Sequence, residues 1–185
     1  WFPIKSGVRQ GCTIAPSLFL TPMDWLLERT VHRGFSGASL GDESFTDLDY
    51  ADDVALLAEM LEVLILSLEI MQDEGKPFGL EINWSKTKIQ TTVDTFAPQN
   101  VQVAGNTVEI TKSFTYLGSR IDWSGRCEAE LGRRISITRD CMTQLDRNIW
   151  HSSISVSTKI RLYCAYILPV LLYGAETWTM TKTMS

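Results

Sequence analysis

The sequence predicts an α+β fold, in which a mixed subdomain is followed by a helical one. Two observations lead to this prediction. Segments with the apolar spacing of helices and segments with the alternation of strands are interleaved over the first two-thirds of the 185 residues. Helical spacing dominates the last third. Because neither an internal repeat nor a low-complexity tract occurs, we expect ordinary globular packing.

Four helices are predicted, the first two from the helical spacing of their apolar residues. They cover residues 17–32, about 57–73, about 127–148 and about 157–173. The glycines that follow the first helix predict a loop, and they are Gly34, Gly37 and Gly41.

Strands are predicted where apolar residues alternate next to turn-forming residues. Residues 45–57 have the pattern of one β-hairpin. Ala104-Gly105-Asn106 is typical of the turn of a second hairpin, between strands at 101–103 and 107–110. Single short strands are predicted at 80–82, 88–92 and 114–121.

The composition indicates a globular protein. Apolar residues make up 44% and charged residues 21%, and the mean hydropathy is -0.01, which excludes wholesale disorder. The longest nearly apolar run, residues 162–172, contains a proline and is too short to span a membrane. The four cysteines lack the spacing of a zinc site, so we expect the reduced thiols of an intracellular protein.

The formal net charge of -5 is unevenly distributed. Residues 1–78 carry 5 basic and 13 acidic side chains, whereas residues 79–185 carry 12 basic and 9 acidic ones. An acidic first part suits a divalent cation, and a mildly basic second part suits a phosphate backbone. A solvated surface with uneven charge accounts for the same numbers.

Two adjacent carboxylates, Asp52 and Asp53, follow Tyr50 and Ala51 in the first predicted hairpin. The apolar residues on both sides predict that this hairpin is buried, where two like charges are costly unless a cation neutralises them. Carboxylate oxygens are the ligands that Mg²⁺ prefers. The pair therefore indicates either a metal site or an exposed acidic turn.

Two further segments contain the residue types of nucleotide sites. Residues 79–88, GLEINWSKTK, place Lys86 and Lys88 in a loop, where a lysine can bind a triphosphate. Residues 7–19, GVRQGCTIAPSLF, place Arg9 and Gln10 between two glycines that allow close approach of a ligand. The alternatives are an ordinary surface loop and an ordinary loop that leads into a helix.

In this order the three segments resemble the reverse transcriptase of non-LTR (LINE-type) retrotransposons. GVRQGCTIAPSLF is similar to the palm motif that contacts template and nucleotide, YADD (residues 50–53) to the catalytic hairpin, and GLEINWSKTK to the lysine-bearing motif. Residues 114–121, FTYLGSRI, resemble the primer-grip strand, and residues 171–178, LLYGAETW, a segment of the helical region after the palm. The resemblance implies a partial polymerase palm over residues 1–122 and a helical thumb-like region over 123–185.

The resemblance implies a role for each matching residue. Asp52 is expected to hold catalytic Mg²⁺, for which Mn²⁺ can substitute, with Asp53 as a second ligand or a support. Lys86 is expected to act beside the triphosphate, with Lys88 as the alternative. Binding of template or nucleotide is implied for Arg9, Gln10, Gly11 and Tyr50, and the primer grip for Leu117 and Gly118.

The implied reaction is RNA-directed DNA synthesis by two-metal phosphoryl transfer. Its partners are an RNA template, a DNA primer and deoxynucleoside triphosphates, with no membrane, and the expected location is the cytoplasm and nucleus. The family's palm has a further, metal-bridging aspartate upstream of this motif, and no acidic residue precedes Gly7 here. We therefore expect a fragment that is inactive alone, without the fingers and first palm strand and without the endonuclease domain of many such elements.

A second interpretation belongs to a different class of protein. A decayed retroelement remnant can persist as a non-catalytic nucleic-acid-binding or structural protein, and intact motifs do not exclude this. A reading frame that continues upstream through the bridging aspartate favours the polymerase, whereas a stop codon there favours the remnant. A maturase-like or telomerase-like polymerase shares the palm chemistry, but the GLEINWSKTK and YGAETW segments argue against it.

Overall fold

The computed structural model describes residues 11–31, 37–92 and 99–179. The helices are α1 (Ala15–Val31), α2 (Leu61–Gly75), α3 (Glu128–Gln144), α4 (Val156–Leu162) and α5 (Leu168–Leu171). The strands are β1 (Ala38–Leu40), β2 (Glu43–Phe45), β3 (Asp47–Tyr50), β4 (Asp53–Leu56), β5 (Lys88–Gln90), β6 (Asn100–Val103), β7 (Asn106–Thr111), β8 (Ser113–Tyr116) and β9 (Ser119–Asp122). This mixture of helices and antiparallel hairpins confirms the α+β class. In the described part of the chain, no helix is long and apolar enough to cross a membrane.

Contacts divide the chain into two compact units. The first comprises Trp1–Thr87 with Asn100–Glu109, and the second comprises Lys88–Gln99 with Ile110–Ser185. The chain therefore passes between the units three times, after Thr87, after Gln99 and, within β7, after Glu109. The predicted boundary at residue 122, between a palm and a thumb-like region, divides the chain by function and not by contacts. It stays a prediction.

Helices α1 and α2 provide the core of the first unit. The buried apolar residues of this core are Met23, Leu26, Leu27 and Met71. Their spacing on α1 follows the helical period, so one face of the helix is apolar. An ion pair joins the two helices at the surface, where Arg29 Nε lies 3.3 Å from Glu74 Oε2. The same guanidinium lies 4.8 Å from the centroid of the Trp25 ring.

The predicted hairpin at 45–57 is confirmed as β3 and β4, which pair in antiparallel register with Tyr50 opposite Asp53. The ladder continues past β4, because Leu57 N donates to Thr46 O at 2.8 Å. This bond places Leu57 in the hairpin and not in a helix, and α2 begins four residues later than predicted. The predicted loop around Gly41 is only partly correct, since β1 and β2 form a short hairpin whose turn contains this glycine at a φ of 65°.

The predicted strand at 80–82 is wrong, because its backbone groups bond to α2 and not to a neighbouring strand. Leu80 N donates to Gly75 O at 3.1 Å, and Ile82 N donates to Gln72 Oε1 at 3.3 Å. Gly75 permits this close approach, since a Cβ there would lie 3.1 Å from Leu80 O. The segment is therefore a loop fastened to the end of a helix.

The second predicted hairpin is confirmed as β6 and β7, with Val103 opposite Asn106. Its turn residues, Ala104 and Gly105, have φ values of 49° and 77°, as type I′ turns require. Ala104 N also donates to Glu69 Oε1 at 3.3 Å, which fastens the turn of this hairpin to α2. The order in the three-stranded sheet is β5-β7-β6.

The second unit contains the two predicted C-terminal helical segments. The first is α3, and the second runs through α4, a π-helical stretch (Tyr163–Ile167) and α5. The predicted single strand at 114–121 is wrong, because it is the hairpin β8–β9, with Tyr116 opposite Ser119. Leu117 and Gly118 have φ values of 45° and 78°, and two successive left-handed residues reverse the chain.

Candidate active site

The core of the first unit anchors three of the segments singled out in the sequence. Partly buried residues pack against the same buried cluster, namely Phe19 of α1, Val54 and Leu56 of β4, and Leu80 and Ile82 of the loop after α2. These residues belong to or directly follow GVRQGCTIAPSLF, YADD and GLEINWSKTK. A single core therefore holds the acidic hairpin, the lysine-bearing loop and the helix after the glycine-rich segment.

The acidic hairpin presents its carboxylates to solvent. Ala51 and Asp52 are the two turn residues, and Asp53 begins β4. Asp52 and Asp53 are exposed, and Tyr50 is 68% exposed. The prediction that this hairpin is buried is wrong, because only Val54 and its neighbours on β4 pack against the core. Because Asp52 and Asp53 are exposed to solvent, the argument from two buried like charges does not apply to them.

The backbone of the acidic turn is strained. Ala51 has a φ of 58°, in the left-handed region that glycine occupies freely. For a residue with a Cβ this conformation costs on the order of 1 kcal/mol. Ala104 has a similar φ of 49° in the turn of the β6–β7 hairpin, so this conformation belongs to two-residue hairpin turns of this chain.

The chemistry of Asp52 and Asp53 fits a hard cation. In polymerase sites, Mg²⁺ takes one or two carboxylates and completes its shell with substrate phosphates and water. Among the described residues, no group of three or more His, Cys, Asp or Glu side chains is placed to hold a metal ion. Asp52 and Asp53 therefore fit as part of a ligand set that substrate and other groups complete.

The lysine-bearing loop is organised by Asn83. Asn83 O accepts from Lys86 N at 3.0 Å and from Thr87 N at 2.9 Å, and Asn83 Oδ1 accepts from Ser85 Oγ at 2.7 Å. These bonds fold residues 83–87 into a turn, so Lys86 lies in the turn whereas Lys88 begins β5.

The two candidate lysines differ in their surroundings. Lys86 is exposed in the first unit, and its ammonium has no hydrogen bond or ion pair with the part of the chain that is described. Lys88 opens β5 in the second unit and is not free of partners. Lys86 is therefore the lysine that belongs to the same unit as Asp52.

Only residues 11–19 of the glycine-rich segment (residues 7–19) are described by the structure. Arg9 and Gln10 lie outside the described residues. Gly11 is exposed with a φ of 85°, a conformation that favours glycine. A turn follows it, in which Ala15 N donates to Cys12 O at 3.2 Å, and this turn leads into α1.

The Leu117-Gly118 turn, predicted to belong to the primer grip, lies in the second unit. Both residues are exposed. Tyr173 Oη donates to Leu117 O at 2.7 Å. The guanidinium groups of Arg133 and Arg134 both donate to Gly118 O. The turn is therefore tied to α3 and to the segment after α5.

Glu130 is a buried acid that the sequence interpretation missed, and it is only 3% exposed. It accepts from Arg133 Nε at 2.8 Å, from Arg134 Nε at 2.6 Å and from Arg120 N at 3.0 Å. Burial by itself raises the pKa of this carboxyl, but the three donors outweigh burial and lower the pKa from 4.5 to about 2. The spacing of Glu130 from both arginines, three and four positions along a helix, was the available signal.

Comparisons with known proteins agree with these motifs. The family model for reverse transcriptase (RNA-dependent DNA polymerase) matches residues 1–121. A transposon-derived protein of Caenorhabditis elegans is 26% identical over 147 residues, which cover 77% of this chain and 52% of that protein.

Two further relatives are described as the Retrovirus-related Pol polyprotein from type-1 retrotransposable element R2. The one from Nasonia vitripennis is 31% identical over 128 residues, covering 69% of this chain and 12% of the polyprotein. The one from Popillia japonica is 24% identical over 187 residues, covering 96% of this chain and 25% of the polyprotein. The chain thus spans about half of the nematode protein and a quarter or less of the R2 polyproteins. Because the family model covers well over half of the chain and includes the YADD hairpin, this chain belongs to the reverse transcriptase (RNA-dependent DNA polymerase) family, in its non-LTR retrotransposon branch.

Proposed function

We propose that this chain supplies the acidic hairpin, the lysine-bearing loop and the primer-grip turn of an RNA-directed DNA polymerase that acts by two-metal nucleotidyl transfer. The main support is the shared core of the first unit, which holds the helix after Gly11, the YADD hairpin and the lysine-bearing loop.

In the proposed reaction the primer 3′-hydroxyl attacks the α-phosphorus of a deoxynucleoside triphosphate. A new phosphodiester bond forms, the bond to the β-phosphate breaks, and pyrophosphate leaves. Asp52 and Asp53 would hold Mg²⁺, which supplies positive charge where negative charge develops on the transferring phosphoryl group. Lys86 binds the triphosphate, Tyr50 lies beside the primer end, and Gly11 allows close approach of the template or the nucleotide.

The proposal is tested by primer extension with the full-length protein that carries these residues. We expect DNA synthesis on an RNA template with an annealed primer, in Mg²⁺ and in Mn²⁺. The products should change with the template sequence. A folded full-length protein that binds the primer–template but makes no product with either cation would instead favour the non-catalytic interpretation.

We expect the 185-residue chain alone to give no primer extension. Two adjacent carboxylates bind Mg²⁺ weakly when no further carboxylate completes the site. The assay compares the purified chain with its Asp52→Asn variant, in Mg²⁺ and in Mn²⁺. Template-dependent product from the unchanged chain that is absent with the variant would show that the chain is sufficient for catalysis.

Replacing Lys86 with Leu should slow nucleotide addition more than replacing Lys88 with Leu. We expect a loss of about 10- to 100-fold for Lys86→Leu, the range for one charge-assisted hydrogen bond to a phosphate. For Lys88→Leu we expect a change of less than about threefold, because Lys88 begins β5 and already has a partner in the structure. Single-turnover incorporation by the full-length protein measures both rates, and the reverse order would assign the role to Lys88.

A further inference from the structure

The turn between β8 and β9 has its carbonyl groups occupied and its amide groups free. Tyr173 donates to Leu117 O, and Arg133 and Arg134 donate to Gly118 O. No hydrogen bond within the described residues uses the N–H of Leu117 or of Gly118. Since both residues are exposed, the turn presents two unsatisfied backbone donors to solvent.

Two glycines allow the YGAETW segment to lie directly against this turn. A Cβ on Gly118 would lie 3.3 Å from the Tyr173 ring, and Gly118 also has a φ of 78°. A Cβ on Gly174, whose φ is 70°, would lie 2.5 Å from Ser119 Oγ. A side chain at Gly118 would require the Tyr173 ring to move by a few tenths of an ångström, and one at Gly174 would displace Ser119 Oγ, while the positive φ would strain either substitution.

Arg134 connects the parts of this arrangement, which we call the turn clamp (Glu130, Arg133, Arg134 and Tyr173). Its Nε lies 2.6 Å from Glu130 Oε1, and its guanidinium carbon lies 4.4 Å from the centroid of the Tyr173 ring. The residue is only 7% exposed, so its guanidinium is held in one place. One carboxylate and two guanidinium groups leave one net positive charge beside the turn.

We infer that Arg134 and Tyr173 are positioning residues, which hold the two free N–H groups of the Leu117-Gly118 turn in place for a backbone phosphate of the primer strand. This inference rests on the proposed function and deepens it, since it names the contacting atoms and what fixes them. Backbone N–H groups and nearby positive charge are the usual ligands of nucleic-acid phosphates. A turn that is already fixed loses less conformational entropy when it binds.

The first test is Tyr173→Phe in the full-length polymerase. The variant keeps the ring that stacks on Arg134 and removes only the hydroxyl that bonds to Leu117 O. We expect the KM for primer–template to rise about 5- to 10-fold, the effect of one lost hydrogen bond, with kcat at saturating primer–template unchanged within about twofold. Arg134→Lys keeps the charge but loses the forked donors, and it should raise the same KM.

Tyr166→Phe is the matched control. Tyr166 is 65% exposed, and its hydroxyl has no hydrogen bond to the described residues. The KM of Tyr166→Phe for primer–template should therefore equal that of the unchanged protein. If the unchanged protein extends primers and neither Tyr173→Phe nor Arg134→Lys alters the KM, the inference is overturned while the proposed function stands. If the unchanged protein extends no primer, the proposed function fails and the inference fails with it.

A second measurement identifies the phosphate. A set of primers carries one neutral methylphosphonate linkage each, at successive positions near the 3′ end. The KM of each primer is measured with the unchanged protein and with Tyr173→Phe, which gives a double-mutant cycle for each linkage. At the linkage that the turn contacts, the two changes together should raise the KM no more than either alone. Effects that multiply at every linkage would show that the clamp does not act through a phosphate.

Discussion

Replacing Asp52 with Asn in the full-length protein is expected to slow the proposed nucleotide addition by about a thousandfold or more. Asparagine keeps the shape of the side chain but removes the charge that a Mg²⁺ ligand supplies. Because Asp52 lies in an exposed two-residue turn, its loss should not disturb the core, and the free energy of unfolding should change by less than about 0.5 kcal/mol. The large effect should therefore fall on catalysis alone.

The measurement is single-turnover incorporation of one nucleotide, with unfolding recorded for the same preparations. Asp42→Asn is the matched control, since Asp42 is an exposed aspartate in the turn of the β1–β2 hairpin. We expect that variant to keep the rate of the unchanged protein. A near-normal rate for Asp52→Asn would show that the YADD hairpin is not the catalytic one.

Glu130→Gln is expected to lower the free energy of unfolding by about 3 kcal/mol at neutral pH. The pKa of Glu130 falls from 4.5 to about 2 on folding, and each unit corresponds to about 1.4 kcal/mol. Because the folded pKa is the lower one, this stabilisation is complete above pH 4.5 and is lost as the pH falls towards 2. The variant and the unchanged chain should therefore converge in stability on acidification.

Urea unfolding of the 185-residue chain, from neutral pH down to about pH 3, checks this. Glu128→Gln is the control, because Glu128 is an exposed acid in the same helical turn of α3. It should differ from the unchanged chain by less than about 0.5 kcal/mol at every pH. A loss for Glu130→Gln that is the same at every pH would exclude the ionised carboxylate as its cause.

Local signals in the sequence were sufficient to predict several elements. Apolar spacing located α1 and most of α2, because a helix that packs on one face repeats its apolar residues every three or four positions. Turn-forming residues located the β3–β4 and β6–β7 hairpins. The motifs indicated the family, since residue type and order along the chain are sequence properties. The catalytic roles of Asp52 and Lys86 stay predictions.

Where the sequence interpretation was wrong, contacts from elsewhere in the chain decided the structure. Residues 80–82 have the composition of a strand, but their N–H groups bond to Gly75 and Gln72. Within residues 114–121, Gly118 is the only residue whose type indicates a turn. The chain reversal there also needs Leu117 in the left-handed conformation, which its residue type does not indicate. Tyr173 holds that reversal from 56 positions further along the chain.

Only the tertiary structure joined the separate segments. It placed the YADD hairpin and the lysine-bearing loop on one core, and it surrounded Glu130 with three donors. It also showed that the acidic tip is exposed, where flanking apolar residues had predicted burial. Spacing along the chain specifies which face of an element is apolar, but the partner that covers this face is selected by packing among residues far apart in sequence.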